Sequence, residues 1–406
     1  MSNAPWKVAA LFAGIGGVEL GLERALGREV ETLAFCEWWE PAKTVLRARF
    51  EGIPIEPDVR GMHRLPADTT LVTAGFPCTD LSQAGRTAGI DGENSGLVTH
   101  VFRLLDEAKE RTRRLPALMI ENVPNMLALD RGKAMSYLIR EIEALGYAWA
   151  YRVVDSRFAG VPQRRRRVIL LASVDFDPRR VLFADDFGDR SDDFRADMFG
   201  FYWTEGRGGL GWAQDAVPTL KGGSTIGIPS PPAVWVRAAE VGRRLVKPSI
   251  EDAEAMQGFD RGWTDVDHLS ARRNGPRWKL VGNAVTVGVA RWVGSRLGAP
   301  GDVVTDFVEW VPGGGAWPTA AAGWGGRVMV PIAISEFPTR EEYRHLGEMI
   351  DVRQAEALSL RAATGFWSRL RQGNLGRYPG FRDDVQQHIR ELEHVRASTT
   401  HLLAVP

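Results

Sequence analysis

A cysteine that directly follows a proline is well placed in this sequence for covalent chemistry. The apolar run Leu71 to Ala74 predicts a buried strand, and Gly75, Phe76, Pro77 and Cys78 follow it. Pro77 fixes its own φ and restrains Phe76, so Cys78 is presented from a rigid turn. Sites in open α/β sheets lie beyond the carboxyl ends of strands. A lone cysteine is more often a small buried hydrophobic residue, so the residues themselves support two interpretations.

A carboxyl group ends another predicted strand. The apolar run Ala117 to Ile120 is followed by Glu121 and Asn122, with Pro124 shortly after. A carboxylate at a strand end usually caps or pairs on the surface. Beside an apolar run and before a proline, we expect Glu121 to be partly buried, in a setting that suits a general acid.

Four consecutive arginines precede a further predicted strand. They are Arg164 to Arg167, and Gln163 comes directly before them. Such a run is normally a solvated basic face or a phosphate-contacting patch. Alternate residues of an extended segment share a side, so we expect Arg165 and Arg167 on one side and Arg164 and Arg166 on the other.

A glycine-rich turn near the start of the chain predicts a nucleoside site. It joins a predicted strand, Val8 to Phe12, to a helix, and consists of Phe12, Ala13, Gly14, Ile15, Gly16 and Gly17. Such turns let the backbone approach a ligand closely, and a tight turn without a ligand has the same composition. Glu37 follows Gly17 by twenty residues, the offset at which an acid binds ribose hydroxyls. Trp38 can stack on an adenine, and Asp58 lies within reach of its amino group.

Together these segments resemble the DNA cytosine-5 methyltransferases of bacteria and phages. The matching motifs are Gly75-Phe76-Pro77-Cys78, Ser82-Gln83-Ala84-Gly85, Gly92-Glu93-Asn94-Ser95-Gly96, Glu121-Asn122-Val123, Gln163 with Arg165 and Arg167, Gln257-Gly258-Phe259 and Asn283-Ala284-Val285. The resemblance covers roughly residues 8 to 297. One departure is Ile250-Glu251-Asp252-Ala253, which stands where the family usually has Arg-Glu-Cys.

The resemblance implies a doubly wound, mostly parallel α/β sheet of the Rossmann-like methyltransferase type. It also implies transfer of methyl to carbon 5 of a cytosine flipped out of duplex DNA. Cys78 would form the covalent adduct, Glu121 would share a proton with ring nitrogen 3, and Arg165 would orient the base oxygen. The implied catalytic residues are Cys78, Glu121, Arg165, Pro77 and Asn122.

The implied cofactor is S-adenosylmethionine, with S-adenosylhomocysteine as product and no metal. The residues expected to bind it are Phe12, Gly14, Ile15, Gly16, Gly17, Glu37, Trp38, Asp58, Val59, Gly75, Pro77, Asn283, Ala284 and Val285. The residues expected to contact DNA are Ser82, Gln83 and Arg86 in a predicted lid, then Gln163, Arg164, Arg166, Arg167, Thr219, Lys221, Ser224 and Thr225. Lys221, Ser224 and Thr225 are the expected base readers, because they supply donors in a glycine-rich stretch without catalytic motifs.

The pattern divides the chain into four segments. Residues 1–174 are predicted to bind cofactor and catalyse, 175–274 to recognise the target, and 275–298 to complete the first domain. Residues 299–406 form an extension, either a structural appendage or an auxiliary DNA contact, with helices predicted at Leu358 to Leu370 and Asp383 to Val395. A helix is also predicted from Arg243 to Met256.

Composition restricts the setting of the protein. Its 406 residues carry 51 basic and 51 acidic side chains, so any nucleic-acid footprint must be local. Two cysteines and no signal-peptide or membrane-spanning pattern predict a reducing cytoplasm. We expect a monomer that acts on double-stranded DNA without a membrane, in restriction-modification or the protection of phage or host DNA.

Two other functions fit parts of the pattern. A tRNA cytosine methyltransferase would share the chemistry, but its relatives carry Cys-Phe-Thr where this chain has Cys78-Thr79-Asp80. A catalytically silent DNA-binding regulator would not require Cys78, Glu121 and the arginine motif. Methyl transfer to plasmid DNA or to tRNA separates the three functions.

Overall fold

The computed structural model describes residues 5–77, 96–205, 209–222, 231–269 and 275–403. It divides into two compact units. The first unit comprises Met1–Ala159, Arg166–Asp189 and Ala284–Glu341. The second comprises Gly160–Arg165, Arg190–Asn283 and Glu342–Pro406.

The elements are numbered along the described part of the chain. The strands are β1 Trp6–Leu11, β2 Val30–Cys36, β3 Ile55–Glu56, β4 Leu71–Ala74, β5 Ala117–Asn122, β6 Ala148–Asp155, β7 Gln163–Arg164, β8 Arg166–Ser173, β9 Met198–Phe201, β10 Ala213–Gln214, β11 Val217–Pro218, β12 Ala233–Val236, β13 Leu245–Lys247, β14 Phe307–Glu309, β15 Ala320–Trp324, β16 Arg327–Pro331 and β17 Glu356–Ala357. The α-helices are α1 Gly17–Leu26, α2 Glu40–Arg49, α3 Val98–Thr112, α4 Lys133–Ala144, α5 Arg179–Leu182, α6 Ile250–Met256, α7 Gly275–Asn283, α8 Val287–Gly298, α9 Leu346–Met349, α10 Leu360–Gln372 and α11 Phe381–Leu403.

A large mixed sheet forms the centre of the first unit. Its ten described strands run in the order β14-β16-β15-β6-β8-β5-β4-β1-β2-β3. The strands β5, β4, β1, β2 and β3 pair with one another in parallel. The strands β8, β6, β15, β16 and β14 pair antiparallel with their neighbours. The predicted doubly wound α/β fold is therefore confirmed, and the parallel half is the part expected to carry a site.

Helices cover both faces of this sheet. Alternate residues of β4 contribute to different cores: Leu71 packs in the cluster that contains α1 and α8, and Val72 in the cluster that contains α3 and α4. Strands buried on both sides read as continuous apolar runs, which is the pattern that predicted them. A Cβ on Gly21 of α1 would lie 2.5 Å from the Cβ of Ala290. The helices α1 and α8 therefore pack so closely that position 21 has no room for a larger residue.

The second unit is built around an antiparallel sheet of five described strands in the order β10-β9-β12-β13-β17. One of its cores is aromatic. Phe201 of β9 contacts Phe366 of α10, Trp235 of β12 contacts Phe381 of α11, and Phe199 of β9 stacks on Trp235. A short parallel pair, β7 with β11, joins residues 163–164 to 217–218.

The division into units differs from the one predicted from the sequence. Residues 299–341 belong to the first unit, where β15 pairs with β6, and residues 342–403 belong to the second, where β17 pairs with β13. Residues 160–165 also belong to the second unit. No described helix is both long enough and apolar enough to cross a membrane.

Candidate active site

The ends of five strands lie side by side at one edge of the first unit. Leu11 pairs with Cys36 and with Ala74, Ala74 pairs with Ile120, and Asn122 pairs with Val168. This register places the glycine-rich turn, Glu37, the Gly75–Pro77 segment, Glu121 and the start of β8 along the same edge.

Glu37 is bound to the glycine-rich turn. Its Oε2 accepts a hydrogen bond from the Gly14 backbone N–H at 2.8 Å, and its Oε1 accepts one from Trp39 N–H at 2.8 Å. Burial raises the pKa of this carboxyl group, and the backbone hydrogen bonds oppose that effect. Each carboxylate oxygen keeps acceptor capacity for a ligand hydroxyl.

The space around the turn fits a nucleoside. Gly14 has a φ of 58°, and no heavy atom lies within 4 Å of the position that its Cβ would occupy. Trp38 is 75% exposed beside Glu37, so its ring face is free to stack. An open glycine cradle, a carboxylate acceptor and an exposed indole are the groups that an adenosine moiety requires.

The other predicted cofactor residues of the first unit have varied surroundings. Asp58 accepts from Arg60, with Nη2 to Oδ2 at 2.6 Å, and this bond holds the pKa of Asp58 below its ordinary value. Val59 and Ile15 are buried, at 2% and 1% exposure. Phe12 follows β1, and Gly75 and Pro77 follow β4; Gly16 and Gly17 lie at the start of α1, and Ala284 and Val285 precede α8.

Asn122 joins the ends of β4 and β5. Its Nδ2 donates to the Phe76 carbonyl at 3.0 Å, and its Oδ1 accepts from the Val123 N–H at 2.8 Å. Phe76 is 2% exposed and packs edge-on against Phe12. The backbone that leads into Cys78 is thus fixed as far as Pro77. Cys78, Ser82, Gln83 and Arg86 lie outside the described residues.

Glu121 pairs with Arg167. The Arg167 Nε lies 2.7 Å from Glu121 Oε1, across the antiparallel pair of β5 and β8. Glu121 is 9% exposed, as expected for a partly buried carboxyl. The charged partner beside Glu121 in the first unit is therefore Arg167.

Arg165 has different surroundings from those expected of a catalytic arginine. Its guanidinium is buried in the second unit, where Nη1 donates to the carbonyls of Leu220 and Gly282 at 3.3 and 3.1 Å. Strand pairing is interrupted at Arg165, between β7 and β8, so the alternation assumed from the sequence does not run through it. In the described contacts Arg165 binds backbone carbonyls and Arg167 accompanies Glu121, and the catalytic role predicted for Arg165 stays a prediction.

Gln163 and Arg164 also hold the Thr219-Leu220 segment. The Gln163 Oε1 accepts from Leu220 N–H at 3.0 Å, and the Thr219 hydroxyl donates to the Arg164 carbonyl at 2.9 Å. Gln163 is fully buried, which argues against its predicted DNA contact. These bonds attach the Thr219-Leu220 segment to the start of the arginine run.

Arg166 forms an ion pair with Glu336 of the extension. Arg166 is exposed, and its side chain retains about half of its accessible surface, 46%, in this pair. Exposed pairs of this kind contribute little to stability, so Arg166 can exchange Glu336 for a phosphate at small cost. The phosphate contact itself stays a prediction.

The remaining predicted residues lie in the second unit. Asn283 is exposed, and a Cβ on Gly222 would lie 2.8 Å from its Oδ1, so Asn283 borders the stretch after Leu220. Lys221 pairs with Glu205, with Nζ to Oε1 at 2.7 Å. Ser224 and Thr225 lie outside the described residues. Sequence reasoning missed Glu205, and no motif marks it.

Comparisons with known proteins agree with this fold. Residues 6–179 match the family model described as C-5 cytosine-specific DNA methylase. The chain is 45% identical over 372 residues to Type II methyltransferase M2.BsuMI of Bacillus subtilis (strain 168), which covers 89% of this chain and 92% of that protein. It is 32% identical over 179 residues to Type II methyltransferase M.BanI of Aneurinibacillus aneurinilyticus, covering 43% and 40% of the two chains.

A solved structure shows the same fold. The crystal structure of the S. pombe Dnmt2 methyltransferase matches 72% of this chain and 98% of its own, with a TM-score of 0.52 and 15% sequence identity. The fold and strand-edge site define a Rossmann-like methyltransferase. The chain belongs to the C-5 cytosine-specific DNA methylases. Its activity is DNA cytosine-5 methylation, and this chemistry uses S-adenosylmethionine as methyl donor.

Proposed function

We propose that the chain methylates a flipped-out cytosine within a specific duplex sequence through a covalent Cys78 adduct. The observation that carries this proposal is the Glu121–Arg167 pair at the strand edge where Pro77 leads into Cys78. Carbon 5 of cytosine is a poor nucleophile, so the conjugation of the ring must first be broken. The target base must leave the helical stack for this to occur, at a cost of a few kcal/mol.

The chain's own residues divide the chemistry among them. The Cys78 thiolate forms a bond to carbon 6, and the displaced electron pair moves toward nitrogen 3. Glu121, when protonated, donates its proton to nitrogen 3 and so neutralises the ring. Carbon 5 then gains the methyl group. Loss of the carbon-5 proton to a base, departure of the Cys78 sulfur as thiolate and return of the nitrogen-3 proton to Glu121 restore the neutral aromatic ring.

Arg167 replaces Arg165 in the proposed contact with the base oxygen. The Arg167 guanidinium already pairs with the Glu121 carboxyl group. A base that contacts Glu121 therefore also lies close to the positively charged Arg167 guanidinium, which can donate hydrogen bonds. A fixed donor at a developing negative charge contributes strongly to catalysis. Asn122 and Pro77 serve as positioning residues, because they fix the backbone before Cys78.

The glycine-rich turn and Glu37 are the proposed holders of the cofactor. When bound, S-adenosylmethionine supplies the electrophilic methyl group. Glu37 accepts from the ribose hydroxyls and Trp38 stacks on the adenine, while Gly14 leaves room for close approach of the backbone. Asp58 can bind the adenine amino group with acceptor capacity that Arg60 does not use.

Kinetics with DNA tests the catalytic assignment. We expect Glu121→Gln and Arg167→Ala to lower the single-turnover rate at saturating DNA and cofactor by about 100-fold or more. Arg166→Ala is the matched control, because Arg166 precedes Arg167 in β8 and pairs with Glu336 instead. A near-normal rate for Arg167→Ala contradicts the assignment. We expect methyl transfer to DNA and none to tRNA in parallel assays, and this result excludes the tRNA methyltransferase.

We further propose that the enzyme acts as a monomer and protects DNA alongside a restriction enzyme. The relatives that support this setting are named Type II methyltransferases. Light scattering of the purified chain, free and with duplex DNA, tests the monomer. Protection of methylated plasmid from a restriction enzyme of the same sequence tests the setting.

A further inference from the structure

Lys221 is held by a short segment of the second unit, Tyr202 to Glu205. The Lys221 Nζ lies 3.8 Å from the centroid of the Tyr202 ring and 2.7 Å from Glu205 Oε1. The Tyr202 hydroxyl donates to the carbonyl of Thr219 at 2.6 Å. These contacts fix both the ammonium group and the backbone that leads into it.

The same segment also contacts the far side of the glycine-rich stretch. The Trp203 Nε1 donates to the Pro231 carbonyl at 2.8 Å. Tyr202 packs closely here, because a Cβ on Gly211 would lie 2.4 Å from its ring. The segment therefore contacts the chain at Thr219, at Lys221 and again at Pro231.

One arginine from the extension fixes this segment. The Arg369 Nε donates to the Glu205 carbonyl at 3.0 Å, and its Nη2 donates to the Trp203 carbonyl at 2.8 Å. Both acceptors are backbone groups, so the contact fixes the path of the chain. A planar guanidinium bonds two carbonyls at once, which a lysine ammonium cannot reproduce with the same geometry.

The helix that carries Arg369 is itself anchored. The side chain of Ser359 caps α10 by accepting from the Ala362 N–H at 3.4 Å. Phe366 and Leu370 of α10 are fully buried in the aromatic core. Because α10 is anchored in this core, Arg369 holds the segment that contacts Lys221 in a defined position.

We propose that Arg369 is a positioning residue for sequence readout. This inference rests on the proposed function and on the base-reading role that the sequence predicts for Lys221. Arg369 fixes Tyr202 to Glu205, and these residues aim the Lys221 ammonium at acceptors on a base edge in the major groove, of the kind that guanine presents. The Lys221–Glu205 pair is 45% and 40% exposed, so Lys221 exchanges Glu205 for a base acceptor at small cost.

The experiment compares Lys221→Met, Arg369→Met, Arg369→Lys and the double variant Lys221→Met/Arg369→Met in the full chain. Arg371→Met is the matched control, because Arg371 is exposed on the same helix and lies over Trp367. Each variant methylates a plasmid, and bisulfite sequencing gives the ratio of methylation at preferred sites to sites with one altered base pair. Thermal unfolding of each variant is recorded in parallel.

We expect Lys221→Met and Arg369→Met each to lower this ratio by about five-fold or more. Arg369→Lys, which retains the charge without the planar fork, lowers it as well. The double variant falls no further than Lys221→Met, because both changes remove one function. Arg371→Met keeps the wild-type ratio.

Three results overturn the inference, and they are distinguishable. A changed ratio for Lys221→Met with an unchanged ratio for both Arg369 variants removes the positioning role but leaves the proposed function intact. Lower stability and slower methylation of all sequences in the Arg369 variants, at a constant ratio, assign Arg369 to folding alone. An unchanged ratio for Lys221→Met removes the proposed reader, and the inference with it.

Discussion

The Asn122 carboxamide shows how single side chains fix the site. Its two hydrogen bonds, to Phe76 and Val123, connect the end of β5 to the segment that precedes the proposed nucleophile. A nucleophile gains rate only when its geometry is fixed before reaction. One amide group thus reinforces the geometry of the strand edge beside Glu121, the proposed general acid.

At the same scale, Glu37 is expected to determine cofactor affinity. Glu37→Ala removes an acceptor that also orders the Gly14 turn, so we predict a loss of about 1.5–3 kcal/mol in S-adenosylhomocysteine binding. Calorimetry measures this loss. Glu40→Ala is the control, because Glu40 is exposed and pairs with Lys43 and Arg47. Equal affinities for the two variants contradict the assignment.

Glu19 predicts a pH dependence of stability. It is 2% exposed, its Oε1 accepts from the Thr73 hydroxyl at 2.8 Å, and burial raises its pKa to about 7. An acid whose pKa is raised on folding lowers stability once pH exceeds its unfolded value near 4.5, and the full penalty is reached above pH 7. Glu19→Gln should therefore stabilise the protein at pH 8 by up to about 3 kcal/mol and have a much smaller effect near pH 4.5.

Denaturant unfolding at the two pH values measures this difference. Glu31→Gln, at an exposed position, is the control substitution. A Glu19→Gln effect that is independent of pH, or larger at the lower pH, contradicts the prediction.

The arginine run illustrates what sequence can and cannot resolve at the residue scale. The spacing of Gln163, Arg165 and Arg167 identified a motif, and both arginines are partly or fully buried. Their roles depend on Leu220, Gly282 and Glu121, which are distant in sequence. Periodicity cannot assign partners across such separations, so the sequence did not distinguish Arg165 from Arg167.

At the scale of elements, strands buried on both faces were readable from their apolar runs, and short mixed segments were not. Residues 243–256 were predicted as one helix, but they contain β13, then Pro248, then α6. Proline disfavours a helical residue before it, and Ser249 forms a capping box with Asp252 at the start of α6. The segment Ile250 to Ala253, which differs from the family motif, thus still forms a normally capped helix start.

The added strand β15 depends on a glycine. A Cβ on Gly323 would lie 2.3 Å from the Arg327 carbonyl oxygen and 2.5 Å from the Trp149 ring. Gly323→Val should therefore separate β15 from β6 or β16 and lower the free energy of unfolding by about 1–3 kcal/mol or more. Denaturant titration measures this change. Gly313→Ala, where nothing lies within 4 Å, should stay close to wild type; equal stabilities for both variants contradict the packing account.

At the scale of the whole molecule, the extension is part of both units. The sequence offered a structural appendage or a DNA contact, because no motif marks residues 299–406. Its strands complete two sheets, and Arg369 donates to backbone rather than standing exposed. Long-range strand pairing of this kind leaves little local signal, since partner strands such as β6 and β15 are far apart in the chain.

Truncation tests this integration. A chain that ends at Glu341 loses Phe366, Leu370, Phe381 and Val385, which are all fully buried. Each such side chain contributes about 1.5–3 kcal/mol of burial, so we predict aggregation or a much lower melting temperature. A chain that ends at Arg396 retains these residues and is the control. Wild-type stability of the shorter chain contradicts the account.

The most direct test of the central claim is adduct formation on DNA that carries 5-fluorocytosine at the target. Fluorine cannot leave as a proton does, so we predict a stable covalent complex between Cys78 and DNA in the presence of cofactor. Cys36→Ser should still form this complex, because Cys36 is buried at 3% exposure and its pKa is raised to about 12. Cys78→Ser should form none. Mass spectrometry that locates the adduct on another residue, or an adduct that persists in Cys78→Ser, contradicts the account.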